Sequence, residues 1–419
     1  MSRNWCLAML AVVSVVASGA ATAQQEASEY NAAGVAYYNQ GRWDNAIQSF
    51  ERAYNLARDN EVVRHNLCNA YQARANALAK VADYAAAAKD LENAISVDPE
   101  NPLPLLQLGS YYLRLDMVSD AVYRLEEAVE LAPENLDGHE LLGDAYYREN
   151  DLASALAHWE WVLETAPDRP NLAPKIEKAT RERTVEQDFR QSDSRHFALS
   201  FPSGTPRRSL NTILAILERA YFEIGRRFDR TFPPGPIQVI VYNNQGFADA
   251  TRQGEHVGAL YDGKIRIPLF DTAGAALDEN ELKRRLFHEY THVVVRFLAS
   301  SNVPWWLNEG LAETFSRDYG PEQTMVLVPA QEQGALFPLK DLEGSQLERL
   351  DVNALRLAYC QSHATVQYLY SRFGQTRLRS MMSSLAEGAT IEDALRTHYR
   401  LTYDGIEDAV ARELARQAR

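Results

Sequence analysis

Cysteine is nearly absent: the 419 residues contain three, Cys6, Cys68 and Cys360. Cys6 lies in an N-terminal segment expected to be removed, and the other two fall in different parts of the chain. That excludes a disulfide framework. Cys68 takes a small-residue position in a repeat and Cys360 a helical face, so both read as buried hydrophobes rather than reactive thiols. Positive charge is also scarce, with 43 Lys and Arg against 57 Asp and Glu and a net charge of −14. That balance offers no surface for neutralising phosphates, which argues against nucleic acid or anionic membrane as a partner. After residue 23 no apolar run approaches the ~20 residues of a membrane span.

What is present begins with a leader. Arg3, the apolar run "LAMLAVVSVVA" and "ATA" before Gln24 read as a secretory signal peptide over residues 1–23. An uncleaved N-terminal anchor is the other reading of that segment. With the signal removed we expect no integral membrane span and an exported chain, in a Gram-negative periplasm. A hydrophobic content of 46% and 24% charged residues suit a globular chain, and the length suits two or three domains.

The first half repeats. Gly109, Tyr112, Ala121, Leu125, Ala128 and Pro133 are matched 34 residues later by Gly143, Tyr146, Ala155, Trp159, Val162 and Pro167. Gly34, Tyr37, Ala46, Phe50 and Ala53 share the spacing, and Cys68, Tyr71, Ala87, Leu91, Ala94 and Pro99 share it with seven extra residues. Seven residues are about two helical turns, so helices there can lengthen and keep their facing sides. The pattern resembles the tetratricopeptide repeat over residues 27–168, four copies in all. Small residues let paired helices approach, while aromatic and aliphatic positions fill the space between neighbours. The resemblance implies a groove for a protein partner; a spacer that binds nothing is the alternative. Residues 169–194, which include "NLAPKIEKATRERTVEQDFRQ", read as a capping amphipathic helix and a linker.

From residue 195 the pattern changes. "HFALSF" and "IQVIVY" read as strands around a helix, "SLNTILAILERAYFEIGRRF", and "GALYDGKIRIPL" as a further strand bulged at Gly263. Helices then run to the end, with two amphipathic helices over residues 391–419. The expected fold class is mainly α: a repeat solenoid followed by an α+β domain at 195–390.

"HEYTH" opens the chemistry. His288 and His292 at i and i+4 share one helix face and can chelate one ion, with Glu289 placed to act as a general base on water. Two half-buried histidines bonded to backbone or carboxylates are the other reading of these five residues. "NVPWWLNEGLAETFS" then supplies Glu309 as a third ligand. Glu313, one turn on, is placed to accept the free ring N–H of a ligand histidine, or else is a solvated carboxylate.

H-E-x-x-H followed by N-E-G-x-x-E resembles the gluzincin metallopeptidases, the group of thermolysin and aminopeptidase N. The pairing with repeats and the "HF" opening are most similar to bacterial peptidase MA-like domains, over about residues 195–390. The resemblance implies zinc on His288, His292 and Glu309, with Glu289 as base. It also implies a tyrosine as oxyanion donor, matched by Tyr359 in "LAYCQSHATVQYLY"; a core tyrosine is the alternative, and His363, one turn further along the helix, is placed to serve instead or to bind substrate. Aminopeptidases carry a Gly-x-Met-Glu-Asn strand that holds the free amine. "HVGALYDGKIRIPL" lacks it, which favours an endopeptidase. The expected function is an exported zinc metallopeptidase acting on peptide or protein substrates. The rival is a non-catalytic periplasmic scaffold that binds partners through its repeats.

Overall fold

The computed structural model describes residues 22–252, 259–270, 275–300, 302–344 and 350–417. The expected signal segment lies almost wholly outside them, as do Glu255 and His256, which precede the fourth strand. Among the described residues no helix is long and apolar enough to cross a membrane.

The chain forms two compact units, residues 1–145 and 146–419. The first is helical: α1 (22–39), α2 (Trp43–Leu56), α3 (Glu61–Lys80), α4 (Tyr84–Val97), α5 (Pro102–Arg114), α6 (Val118–Leu131) and most of α7 (Leu136–Arg148). The seven-residue insert is absorbed by α3 alone, which has 20 residues against 13 in α5, while α4 keeps the 14 of α2. Small residues are required at the crossings. A Cβ on Gly109 would stand 2.4 Å from Leu125 Cγ, and Ala46, Ala53, Ala87 and Ala94 are buried completely.

The second unit starts with α8 (Leu152–Thr165) and α9 (Leu172–Glu186), so repetition by sequence runs past the point where the first unit ends. Next come β1 (Phe189–Asp193), β2 (Phe197–Pro202), α10 (Arg207–Arg227), β3 (Ile237–Tyr242), α11 (Asn244–Thr251), β4 (Leu260–Tyr261) and β5 (Ile265–Pro268). The helices α12 (Glu279–Ala299), α13 (Trp305–Ser316), α14 (Pro321–Glu332), α15 (Val352–Phe373), α16 (Gln375–Ala386), α17 (Ile391–Tyr399) and α18 (Tyr403–Gln417) complete the unit.

The sheet order is β1-β2-β3-β5-β4, with β2, β3 and β5 parallel and the two edge strands antiparallel. Two expectations are corrected here. "GALYDGKIRIPL" is a hairpin rather than one bulged strand, because Gly263 takes φ +107° and turns the chain between β4 and β5. The segment expected as helix and linker near residue 190 is strand β1, whose backbone pairs with β2. One sheet face packs Val239, Val241, Ile265 and Ile267 against α10 and α12 in the main core. The opposite face packs Ile240 and Tyr242 with Phe247 of α11.

Candidate metal centre and cleft

The cap at Asp278, which accepts from Asn280 N and Glu281 N, starts α12 and fixes its phase. Its apolar face, with Leu286, Phe287, Tyr290, Val293 and Val294, is in the core. His288 and His292 then fall at the edge of that face, with ring centroids 4.9 Å apart and side chains 14% and 11% exposed. Pro304 begins α13, which lies against α12 and carries Glu309 towards both rings. Glu309 Oε2 is 3.3 Å from His288 Nε2 and 3.6 Å from His292 Nε2. One donor atom from each of the three residues lies within 4.8 Å of the others.

The donor set fits zinc. Four ligands at the usual bond lengths of about 2.0–2.1 Å stand roughly 3.4 Å apart at the corners of a tetrahedron, matching the two contacts above. Both rings are also oriented from behind. His292 Nδ1 lies 3.0 Å from Asn308 Oδ1. His288 Nδ1 lies 3.4 Å from Glu313 Oε1, a charge contact too oblique for a hydrogen bond. Glu313 is buried, not solvated, and its other oxygen accepts from Arg317 Nε. Burial opposes its ionisation, but His288 and Arg317 hold its carboxyl down at about 2. Burial likewise works against Glu309, whose carboxyl His292 and His288 keep below the usual range. Burial disfavours a charged His288, yet Glu309 and Glu313 raise the ring to about 10; a metal would displace that proton.

Glu289, 6% exposed, has its carboxyl pushed up by burial, the direction that suits a base meant to take and return a proton. It lines a cleft of about 420 Å³ with His288, His292, Glu309, Asn308, Tyr359, Arg296 and the edge residues Leu260 and Tyr261. Tyr359 packs edge-on to Trp305 at 4.9 Å. Burial, then Glu309, Glu313 and Glu289, raise its phenol pKa, so it stays a donor at neutral pH. Its approach depends on Gly310, where a Cβ would stand 2.4 Å from Ser362 O; without a side chain there, α15 crosses directly over α13.

His363 does not belong to the cleft. It is fully buried, its ring is edge-on to Tyr319 at 5.3 Å, and it does not line the cavity. Burial depresses its pKa to about 4. A substrate-binding or oxyanion role therefore fails on access. Sequence reasoning misses Asn308, Gly310 and Arg317 as functional positions. The i, i+4 spacing of Glu313 and Arg317 is a readable signal, and Asn308 and Gly310 stand inside the N-E-G motif itself.

The profile of the peptidase MA superfamily matches residues 234–415, and tetratricopeptide repeat profiles match 27–60, 69–101 and 106–170. The chain joins tetratricopeptide repeats to a peptidase MA superfamily domain. No curated protein is detectably similar over the chain. Solved structures similar to parts of it include the MamA protein, at 17% identity over 37% of this chain and 81% of that one, TM-score 0.30. Pseudomonas aeruginosa pilF is similar at 17% identity over 50% and 87%, TM-score 0.28. The first tetratricopeptide repeat domain of Spaghetti (RPAP3), solved with an HSP90 peptide, is similar at 23% identity over 27% and 90%, TM-score 0.27.

Proposed function

We propose that the chain is an exported zinc metallopeptidase of the gluzincin type, favouring cleavage within a peptide, and that its repeats recruit the substrate or a partner protein. The observation that carries this is the pair of contacts from Glu309 Oε2 to the two imidazoles, 3.3 and 3.6 Å. They fit a tetrahedral zinc site held by His288, His292 and Glu309. A zinc ion there would supply Lewis acidity to a peptide carbonyl and make a water acidic near neutral pH.

The chain's own groups do the rest. Glu289 accepts the proton of the attacking water at its carboxylate and returns it to the leaving amine. Tyr359 donates its phenolic hydrogen to the oxyanion. Asn308 and Glu313 hold the histidine rings in register. Leu260 and Tyr261 belong to the outermost strand of the sheet and also face the cleft. Among the described residues no further strand pairs beyond β4, and an extended peptide can pair with such a backbone edge at any point along its length, which supports internal cleavage. Export and a periplasmic location rest on residues 1–23 alone.

Zinc content of the purified chain, wild type beside Glu309→Ala, tests the site. We expect about one zinc per wild-type chain and its loss in the variant. Glu289→Gln should keep its zinc while hydrolysis of a casein substrate falls by about 10²–10⁴-fold. A wild type that stays metal-free after reconstitution, or a Glu289→Gln variant that cleaves normally, sinks the proposal.

A further inference from the structure

Arg296 stands in the wall of the same cleft as the two histidines. It lies four residues beyond His292, so it shares that helix face about 6 Å further along the axis. Its side chain is exposed, and among the described residues no carboxylate pairs with it. Other arginines of this region are neutralised: Arg284 and Arg285 by Glu281, Arg317 by Glu313. In a chain with 57 acidic and 43 basic residues, a guanidinium inside a cleft that no described carboxylate pairs calls for a reason.

Its surroundings sharpen the point. Arg148, the last residue of α7, is near enough to repel it: burial and then Arg296 depress the Arg148 guanidinium to about 10. Tyr261 of the edge strand, raised mainly by burial, feels both cations. Arg296 on α12 and Tyr261 on β4 line the same cleft. The planar guanidinium fork of Arg296 matches a carboxylate.

We propose that Arg296 forms an anion-binding subsite of this cleft, taking a carboxylate of the peptide substrate. The carboxylate is an acidic side chain or the free C-terminus. The proposal rests on the reading of the cleft as a peptidase site. An offset of about 6 Å corresponds to roughly two residues of extended chain, so the preferred acid lies within about two positions of the scissile bond.

The test separates binding from hydrolysis. A panel of matched peptides carries Glu, Gln or Lys at successive positions, each with a free or amidated C-terminus. Binding is measured by fluorescence anisotropy on zinc-loaded Glu289→Gln, and kcat/KM is measured on the wild type. Glu peptides should bind about tenfold tighter than Gln peptides at one position, the scale of a charge-assisted pair. Arg296→Gln should erase that ratio and Arg296→Glu should invert it towards Lys, with zinc content and the thermal midpoint unchanged. A preference lost only on amidation assigns the subsite to the C-terminal carboxylate. Peptides cleaved without acidic preference overturn the subsite and leave the peptidase standing. Acidic preference in binding, with no cleavage by the wild type, keeps the subsite and overturns the peptidase. A preference that survives Arg296→Gln, or no peptide binding at all, overturns the subsite.

Discussion

Glu182, Glu186 and Asp262 lie between α9 and the β4–β5 hairpin, where the chain supplies their cations. Arg266, fully buried, reaches Glu182 at 2.9 Å, Glu186 at 3.4 Å and Asp262 at 3.1 Å. Lys178 is 2.6 Å from Asp262, and Lys264 lies over the Tyr147 ring at 3.9 Å. Glu289, Glu309 and Glu313 lie between α12 and α13, where the chain offers two imidazoles and, at Glu313, Arg317. Both clusters remove carboxylates from water at considerable cost. The first is complete without help, so it is structural: it binds α9 to the sheet and steadies the hairpin whose outer strand faces the cleft. The second gives Glu289 and Glu309 only imidazoles, whose charge depends on a proton, which accords with the proposed zinc site.

The strongest way to break this comparison is Arg266→Ala. It strands two buried glutamates, and we expect a loss of about 3–5 kcal/mol in urea unfolding, the same with and without zinc. Glu309→Ala should cost less than this in metal-free protein, because the charged His288 it leaves still has Glu313 3.4 Å away. Equal destabilisation by both variants would mean that the two clusters are of one kind. A smaller effect is expected behind the metal. Glu313→Ala should weaken zinc binding by about 10–100-fold, read by competition with a chelator, as such supporting carboxylates usually do. Unaltered affinity would make its contact with His288 incidental.

The two clusters also differ in how far the sequence reveals them. His288, Glu289 and His292 are legible because a helix period brings them together, and the "NEG" segment gives Glu309 from one neighbouring helix. No local rule reveals the other cluster: Lys178 and Asp262 are 84 positions apart. In β5, "IRIP", alternation suggests an arginine facing water, yet Arg266 is 0% exposed, because α9 covers that face of the sheet. Strand β1 is hidden for a related reason. "FRQSD" has little apolar content, and its backbone pairing with β2 rather than its side chains makes it a strand. The repeats are readable throughout because each contact recurs at a fixed period. His363 shows the opposite failure: spacing along α15 suggests a second cleft residue, but the packing of α15 on α13 turns it into the core.

The smallest predicted effect depends on pH and sits wholly in the first cluster. Burial opposes ionisation of Asp262, but Arg266 and Lys178 hold its carboxyl at about 2, below the ordinary 3.8. A folded-state value below the unfolded one contributes stability above the unfolded value, and that stability is lost as pH falls through the folded one. Asp262→Asn should therefore cost about 1–2 kcal/mol at pH 7. The gap should narrow between about pH 4 and pH 2, as the wild-type carboxylate takes up its proton. Urea midpoints of both proteins at pH 7, 5 and 3, in chelator, measure it. A gap independent of pH would show that Asp262 acts through the shape of the turn rather than its charge, and the first cluster would then rest on Arg266 and the two glutamates alone.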